Sequence, residues 1–115
     1  MTTRPAQDTA STEVVRILNP AARGPVVLIC EHASNFIPAE FNDLGLTDKV
    51  KVSHVAWDPG ALAVAQGLSH RLDAQLVAGG VSRLIYDCNR PPTAADAMPA
   101  RSEIFEIPGN TGLND

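Results

Sequence analysis

The sequence predicts an α/β fold that is built on a mainly parallel sheet. Residues 26–30 form a continuous apolar run, which is typical of a central strand covered on both faces. Apolar residues then recur at helical spacing from residue 59 to about residue 72, and a second strand-like run covers residues 81–86. A strand, a helix and a strand in this order form a right-handed crossover between parallel strands.

Composition and charge restrict the class of protein. A chain of 115 residues with 44% hydrophobic and 19% charged residues is at most one domain of globular type. The net charge of −4 without a basic stripe argues against nucleic acid as a partner. The first residues resemble neither a secretory signal nor a membrane span, so we expect a cytoplasmic protein with no membrane partner. Cys30 and Cys88 each end an apolar run and are expected to be buried free thiols.

The remaining segments follow in chain order. Residues 1–12 are predicted to be a flexible tail, and β-branched residues predict an edge strand over 13–18. Residues 50–56 are compatible with either a helix end or a strand. Residues 103–108 begin an element that the rest of the chain does not complete. Since one clear helix cannot cover both faces of a parallel sheet, residues 13–115 are predicted to be the N-terminal part of a larger domain.

A cluster of polar side chains follows the predicted strand 81–86. Asp87, Asn89 and Arg90 come just before Pro91, which cannot continue a strand. Open α/β sheets bind ligands at the carboxyl ends of their strands, and a guanidinium beside an amide suits a bound carboxylate. The alternative is a turn at the strand end that is held by an Asp–Arg pair.

A second polar cluster follows residues 26–30 and contains Glu31, His32, Ser34 and Asn35. His32 as a neutral imidazole is a candidate metal ligand that Glu31 orients, although a single His in such a position is also often structural.

Asp58 precedes Pro59 at the start of the predicted helix. An Asp before a Pro is the usual pattern of a helix N-cap, so capping is the simplest role for Asp58. Because a carboxylate has two oxygens, capping does not exclude metal binding.

Four runs of the sequence together resemble the N-formylglutamate amidohydrolase family. They are CEHASNFIP at 30–38, AWDPGA at 56–61, SRLIYDCNRP at 82–91 and IPGN at 107–110, and the match covers about residues 25–115. The resemblance implies an α/β/α sandwich of phosphorylase/hydrolase type, like that of zinc carboxypeptidases. It also implies hydrolysis of an N-acyl amino acid such as N-formylglutamate. Members of the family are longer than this chain, which therefore looks like their N-terminal half.

The resemblance extends distantly to the aspartoacylase and succinylglutamate desuccinylase group and implies a zinc cofactor. Carried over by position, it makes His32 and Asp58 the metal ligands. Asn89 and Arg90 become the clamp for the substrate carboxylate, with Arg83 as an additional substrate contact. The residues expected around this site are Glu31, Ser34, Asn35, Asp87 and His54. A further His ligand and the catalytic acid of the family have no counterpart in the sequence.

Two functions follow from this pattern. The first is a zinc-dependent amidohydrolase, incomplete in this chain, whose partner is a small N-acyl amino acid. The second is a non-catalytic carboxylate-binding or assembly module derived from that family. In both cases we expect self-association or pairing with a second half, since uncovered strand edges favour association.

Overall fold

The computed structural model describes residues 14–113, so the predicted tail over 1–12 lies outside the described residues. The predicted α/β class is confirmed, because a small sheet, a helix and a hairpin are present. The strands are β1 (Val15–Leu18), β2 (Val27–Cys30), β3 (Gln75–Gly79), β4 (Arg101–Ser102) and β5 (Phe105–Glu106). The α-helices are α1 (Asp48–Lys51) and α2 (Ala61–Leu72), with short 3-10 segments at Ala39–Gly45, Ala95–Ala97 and Pro108–Asn110.

The main sheet has the strand order β1-β3-β2. β3 runs parallel to β2 and antiparallel to β1, so a mainly parallel sheet is not confirmed. The predicted edge strand at 13–18 is confirmed as β1. The two-sided burial predicted for residues 26–30 is wrong within the described residues, because β2 lies at an edge and Ile29 is 71% exposed.

The strand predicted over residues 81–86 is also wrong. The third strand ends at Gly79, and residues 83–85 form a turn. The buried Ser82 organises this turn: its hydroxyl donates to the carbonyl of Ala56 at 2.7 Å and accepts the N–H of Leu84 at 3.1 Å. A side-chain hydroxyl that satisfies local backbone groups in this way competes with strand pairing.

The predicted helix over 59–72 forms as α2, but its N-cap is not Asp58. Gly60 occupies the N-cap position with a φ of 86°, and no side chain caps the helix. Asp58 contributes only its backbone carbonyl, which accepts the N–H of Ala61 at 3.0 Å. Its carboxylate is thereby left available for other contacts. No strand forms over residues 50–56, where the chain passes from α1 into turns.

Over residues 14–113, the buried apolar side chains form two clusters. The first joins β2, β3 and α2, with Leu76 and Ala78 fully buried against the helix. The second joins residues 37–56, the Ser82 turn and the C-terminal hairpin; its buried members are Ile37, Leu44, Val50, Val55, Ala56, Leu84 and Ile107. Asn110 fixes the hairpin to the turn, since its side-chain amide donates to the carbonyls of Leu84 (2.8 Å) and Pro99 (2.9 Å).

The cysteines differ in their environment. Both are free thiols, but only Cys30 is buried, so the predicted burial of Cys88 is wrong. Over residues 14–113, no helix has the length and apolar character that crossing a membrane requires.

Candidate functional site

The candidate site forms where β2 ends. Glu31 and His32 follow the last residue of this strand directly. The backbone N–H of Asp58 donates to the carbonyl of His32 at 3.0 Å, and this bond holds the segment before α2 against the strand end. Two positions that are 26 residues apart in the sequence therefore meet at one edge of the sheet.

The imidazole of His32 lies between two carboxylates. Its Nδ1 atom is 3.2 Å from Oδ2 of Asp58, and its Nε2 atom is 2.7 Å from Oδ1 of Asp87. The two carboxylates differ in exposure: the side chain of Asp87 is 3% exposed, whereas that of Asp58 is 52% exposed and borders a cleft. The His32 ring, itself 10% exposed, is therefore held between a buried carboxylate and an exposed one.

Asp87 connects three residues of the site through its buried carboxylate. Its carboxylate accepts the backbone N–H of Asn89 at 3.0 Å and the Nη2 atom of Arg83 at 3.0 Å, besides its contact with His32. Burial by itself raises the pKa of Asp87. The hydrogen bonds from His32 and Asn89, together with the charges of His32 and Arg83, outweigh that effect and lower the pKa below its ordinary value. An ionised Asp87 can only accept, so Nε2 of His32 is the donor in this pair.

This arrangement leaves two possibilities for the position between His32 and Asp58, a proton or a metal cation. When the neutral ring carries its proton on Nε2, its Nδ1 lone pair faces a carboxylate oxygen at 3.2 Å. Two acceptors at this separation require a proton or a cation between them. Two ligands of one tetrahedral zinc, each at about 2.0–2.1 Å from the metal, lie about 3.3 Å apart. An imidazole nitrogen and a carboxylate oxygen are both zinc donors, so the pair fits two positions of a zinc site.

The pair alone does not make a closed metal site. Within residues 14–113, no group of three or more His, Cys, Asp and Glu side chains is placed to hold a metal ion. A catalytic zinc normally takes three protein ligands and leaves one position for water or substrate.

The predicted substrate contacts divide between two clefts. Asn89 lines a cleft of about 640 Å³ together with His32 and Asp58. Arg90 instead lines a smaller cleft of about 230 Å³, where its Nε atom lies 3.0 Å from Oδ2 of Asp96. Arg83 connects the two, since it bonds to Asp87 and its Nη1 atom lies 3.8 Å from Oδ1 of Asp58.

The other residues predicted around the site are not all brought to it. Glu31 lines the larger cleft beside His32. Ser34 accepts the N–H of Phe36 at 3.0 Å within its own loop, and Asn35 donates to the carbonyl of Lys51 at the end of α1 at 2.8 Å. His54 pairs with Glu103 at 2.7 Å on the surface.

Sequence reasoning missed two residues of the smaller cleft. Asp96 faces Arg90, and Arg101 lines the same cleft from the hairpin. The available signal was the turn predicted by Pro91 and Pro92, because a chain that reverses there brings later side chains back toward Arg90.

Comparison with known proteins gave two matches of interest. The family model described as N-formylglutamate amidohydrolase matches residues 24–114. The crystal structure of gene product Atu2144 from Agrobacterium tumefaciens superposes with a TM-score of 0.89 at 53% sequence identity. That match covers 93% of this chain but 42% of the Agrobacterium chain, so this chain spans less than half the length of that relative. No curated protein matched.

Proposed function

The chain belongs to the N-formylglutamate amidohydrolase family, and from this we propose that it forms the zinc-binding part of a hydrolase that cleaves N-formyl amino acids such as N-formylglutamate. The observation that carries the proposal is the His32–Asp58 pair, whose Nδ1 and Oδ2 atoms are 3.2 Å apart. We also propose that the sheet belongs to a mainly parallel α/β/α sandwich. The two free cysteines support a cytoplasmic location.

In this proposal Nδ1 of His32 and a carboxylate oxygen of Asp58 hold the zinc ion. When bound there, zinc would act as a Lewis acid toward the amide carbonyl and would lower the pKa of a water molecule. Asp87 keeps the His32 ring in one orientation and one tautomer, because it accepts the Nε2 proton at 2.7 Å. Asp87 is thus a positioning residue, since it acts on the ligand rather than on the substrate.

Arg83 is proposed to contact the substrate at the scissile bond. Its guanidinium bonds to Asp87 and lies 3.8 Å from Oδ1 of Asp58, and Arg83 itself lines the smaller cleft. A donor in this position can bind the carbonyl oxygen of an amide and stabilise the negative charge that develops there. The bond to the buried Asp87 holds the guanidinium in place before the substrate arrives.

Asn89 and Arg90 are proposed to bind the substrate carboxylate. Asn89 lines the cleft next to His32, whereas Arg90 lines the smaller cleft, so joint binding of one carboxylate requires the Arg90 side chain to leave Asp96 and turn toward Asn89. Arg90 pairs with Asp96 through a contact in which the Asp96 side chain is 62% exposed. Exposed ion pairs contribute only about 0–1 kcal/mol, so an incoming carboxylate can replace Asp96 at the guanidinium with little loss. The planar guanidinium of Arg90 would then bind the substrate carboxylate through two hydrogen bonds.

A second candidate function rests on the number of donors. Residues 14–113 offer two metal donors where catalysis needs three, which favours a non-catalytic module that retains the carboxylate cleft. Such a module would bind N-formylglutamate without zinc and without turnover.

Calorimetric titration of N-formylglutamate, with and without zinc, separates the two functions. We expect the chain to bind N-formylglutamate more tightly when zinc is present, and His32→Ala to abolish that dependence while His54→Ala leaves it intact. The α-amide of N-formylglutamate, which lacks the α-carboxylate, should bind at least tenfold more weakly. Binding that is equal with and without zinc would favour the module, and no binding of either compound would contradict both functions.

A further inference from the structure

The smaller cleft is lined by three guanidinium groups that differ in their carboxylate partners. Arg83, Arg90 and Arg101 all line it. Arg83 is bound to the buried carboxylate of Asp87 at 3.0 Å, and Arg90 is bound to Asp96 at 3.0 Å. Over residues 14–113, no carboxylate lies within ion-pair distance of Arg101. Arg101 is therefore placed to accept a carboxylate that another group in this cleft releases.

The contacts of Arg101 leave most of its donors available. Its Nε atom donates to the backbone carbonyl of Glu103 at 3.2 Å. The carboxylate of Glu103 lies 2.7 Å from Nε2 of His54 instead. A guanidinium carries five N–H donors, so the two terminal nitrogens of Arg101 can still bind a carboxylate.

The backbone keeps Asp96 in the cleft independently of its ion pair with Arg90. Asp96 lies in the 3-10 segment Ala95–Ala97. The N–H of Asp87 donates to the carbonyl of Ala97 at 2.7 Å, and the N–H of Arg90 donates to the carbonyl of Asp87 at 3.1 Å. These bonds fix the backbone beside both partners. The cleft, of about 230 Å³, is also smaller than the roughly 300–1,000 Å³ of usual ligand pockets, so a rotation of the Asp96 side chain can bring it toward Arg101.

We propose that Asp96 changes its partner from Arg90 to Arg101 when the substrate carboxylate binds Arg90. The proposal rests on the function proposed above, in which Arg90 leaves Asp96 and turns toward Asn89. Without Arg101, the released carboxylate of Asp96 would have no counterion in the cleft and would compete with the substrate for Arg90. Arg101 is thus a positioning residue, since it acts on Asp96 and not on the substrate.

A double-mutant cycle tests whether Arg101 acts through Asp96. N-formylglutamate is titrated by calorimetry into the zinc-loaded 115-residue chain at about 0.15 M salt, where a Debye length of about 8 Å weakens long-range charge effects. We expect Arg101→Gln to raise the dissociation constant about two- to fivefold, as the loss of an exposed ion pair allows. Arg101→Lys keeps the charge and should raise it less. In the Asp96→Asn background, Arg101→Gln should have no effect. Asp96→Asn alone should bind at least as tightly as wild type.

Arg71→Gln is the matched control for the loss of a positive charge. Arg71 is exposed on α2 and lines neither cleft, so its substitution should leave the dissociation constant unchanged in both backgrounds. Circular dichroism melts establish that each variant folds.

A second measurement tests the exchange without substrate. Arg90→Gln imitates the departure of Arg90 and leaves Asp96 to pair with Arg101. Phenylglyoxal modifies free guanidinium groups faster than ion-paired ones, and peptide mass spectrometry gives the rate at each arginine. In Arg90→Gln we expect the rate at Arg101 to fall at least about twofold, as pairing with an exposed carboxylate allows, while the rate at Arg71 stays unchanged. Asp96→Asn in addition should restore the rate at Arg101.

Each outcome supports or overturns the exchange. An effect of Arg101→Gln that persists in the Asp96→Asn background would indicate direct contact with the substrate and overturn it. Unaltered binding by Arg101→Gln, weaker binding by Asp96→Asn alone, or an unchanged modification rate of Arg101 in Arg90→Gln would also overturn it. If the wild-type chain does not bind N-formylglutamate, the proposed function is wrong, and the modification rates alone decide whether Asp96 changes partner.

Discussion

His32 and Asp87 are joined by a contact of 2.7 Å between Nε2 and Oδ1, across 55 residues of sequence. The carboxylate is buried, whereas the opposite nitrogen of the ring faces the cleft. The buried partner therefore fixes which nitrogen is available for a metal or a proton. This is the arrangement by which metal-binding His residues are commonly oriented.

Asp87→Asn tests this orientation. The amide has nearly the same size but lacks the charge that accepts from both His32 and Arg83. We expect zinc affinity to fall about 10–100-fold, measured by competition with a chromophoric chelator. The free energy of unfolding should also fall by about 1–3 kcal/mol, because buried donors lose a charged acceptor. Asp96→Asn is the control and should leave zinc affinity unchanged. Equal zinc affinity in wild type and Asp87→Asn would exclude an orienting role.

Arg90→Lys tests the carboxylate clamp. Lysine retains the charge but loses the planar fork, so N-formylglutamate should bind about 1–3 kcal/mol more weakly by calorimetry. The melting temperature should stay nearly unchanged, because the Arg90–Asp96 pair is largely exposed. Arg101→Lys is the control, because it removes another guanidinium from the same cleft and should change N-formylglutamate binding less than Arg90→Lys does. A clear fall in melting temperature with unaltered binding would make Arg90 a structural residue.

Gly79→Ala tests how closely the end of β3 approaches the candidate site. A Cβ atom at position 79 would lie 2.5 Å from the carbonyl oxygen of Glu31, next to His32. Overpacking of this kind should lower the free energy of unfolding by about 1–3 kcal/mol in urea titrations. Gly67→Ala is the matched control, because position 67 lies within α2 and has open space around it. That variant should gain about 0.5–1 kcal/mol. Destabilisation by both substitutions alike would contradict the close approach at residue 79.

The two thiols should react at different rates. Cys88 is exposed and Cys30 is buried, so iodoacetamide should label Cys88 first in the folded protein, and Cys30 only after denaturation. Although Cys88 is exposed, partial desolvation of its sulfur raises its pKa, and the charges of Glu31 and Asp87 raise it further. Since the thiolate is the nucleophile, Cys88 should also react more slowly than free cysteine at pH 8. Peptide mass spectrometry checks both expectations, and faster labelling of Cys30 would contradict the described burial.

The sequence predicted the fold class and the family because those depend on local patterns. The helix over 59–72 and the edge strand at 13–18 follow from apolar spacing and β-branched residues, and both formed. The strand at 81–86 did not, because the Ser82 hydroxyl satisfies backbone groups locally and favours a turn. Apolar pattern alone does not distinguish these two outcomes.

The site was predictable only to the level of which segments carry its polar side chains. The helix cap could not be assigned, because Gly60 takes a positive φ that no side-chain pattern required. The direction of Arg90 depends on Asp96, which the chain brings back only after the turn at Pro91 and Pro92. The direction of a side chain that follows the Ser82 turn is thus set by the next loop, and the periodicity of the sequence does not predict the course of that loop.

The central claim is that Nδ1 of His32 and the carboxylate of Asp58 share one zinc ion. Long-range proton–nitrogen correlation spectra resolve the ring nitrogens of the three His residues, His32, His54 and His70. On addition of zinc, we predict a shift of the His32 Nδ1 resonance with its proton retained on Nε2, and loss of that shift in Asp58→Asn. A zinc-dependent shift at Nε2 of His32, a shift confined to His54 or His70, or a His32 shift that Asp58→Asn leaves unchanged would contradict it.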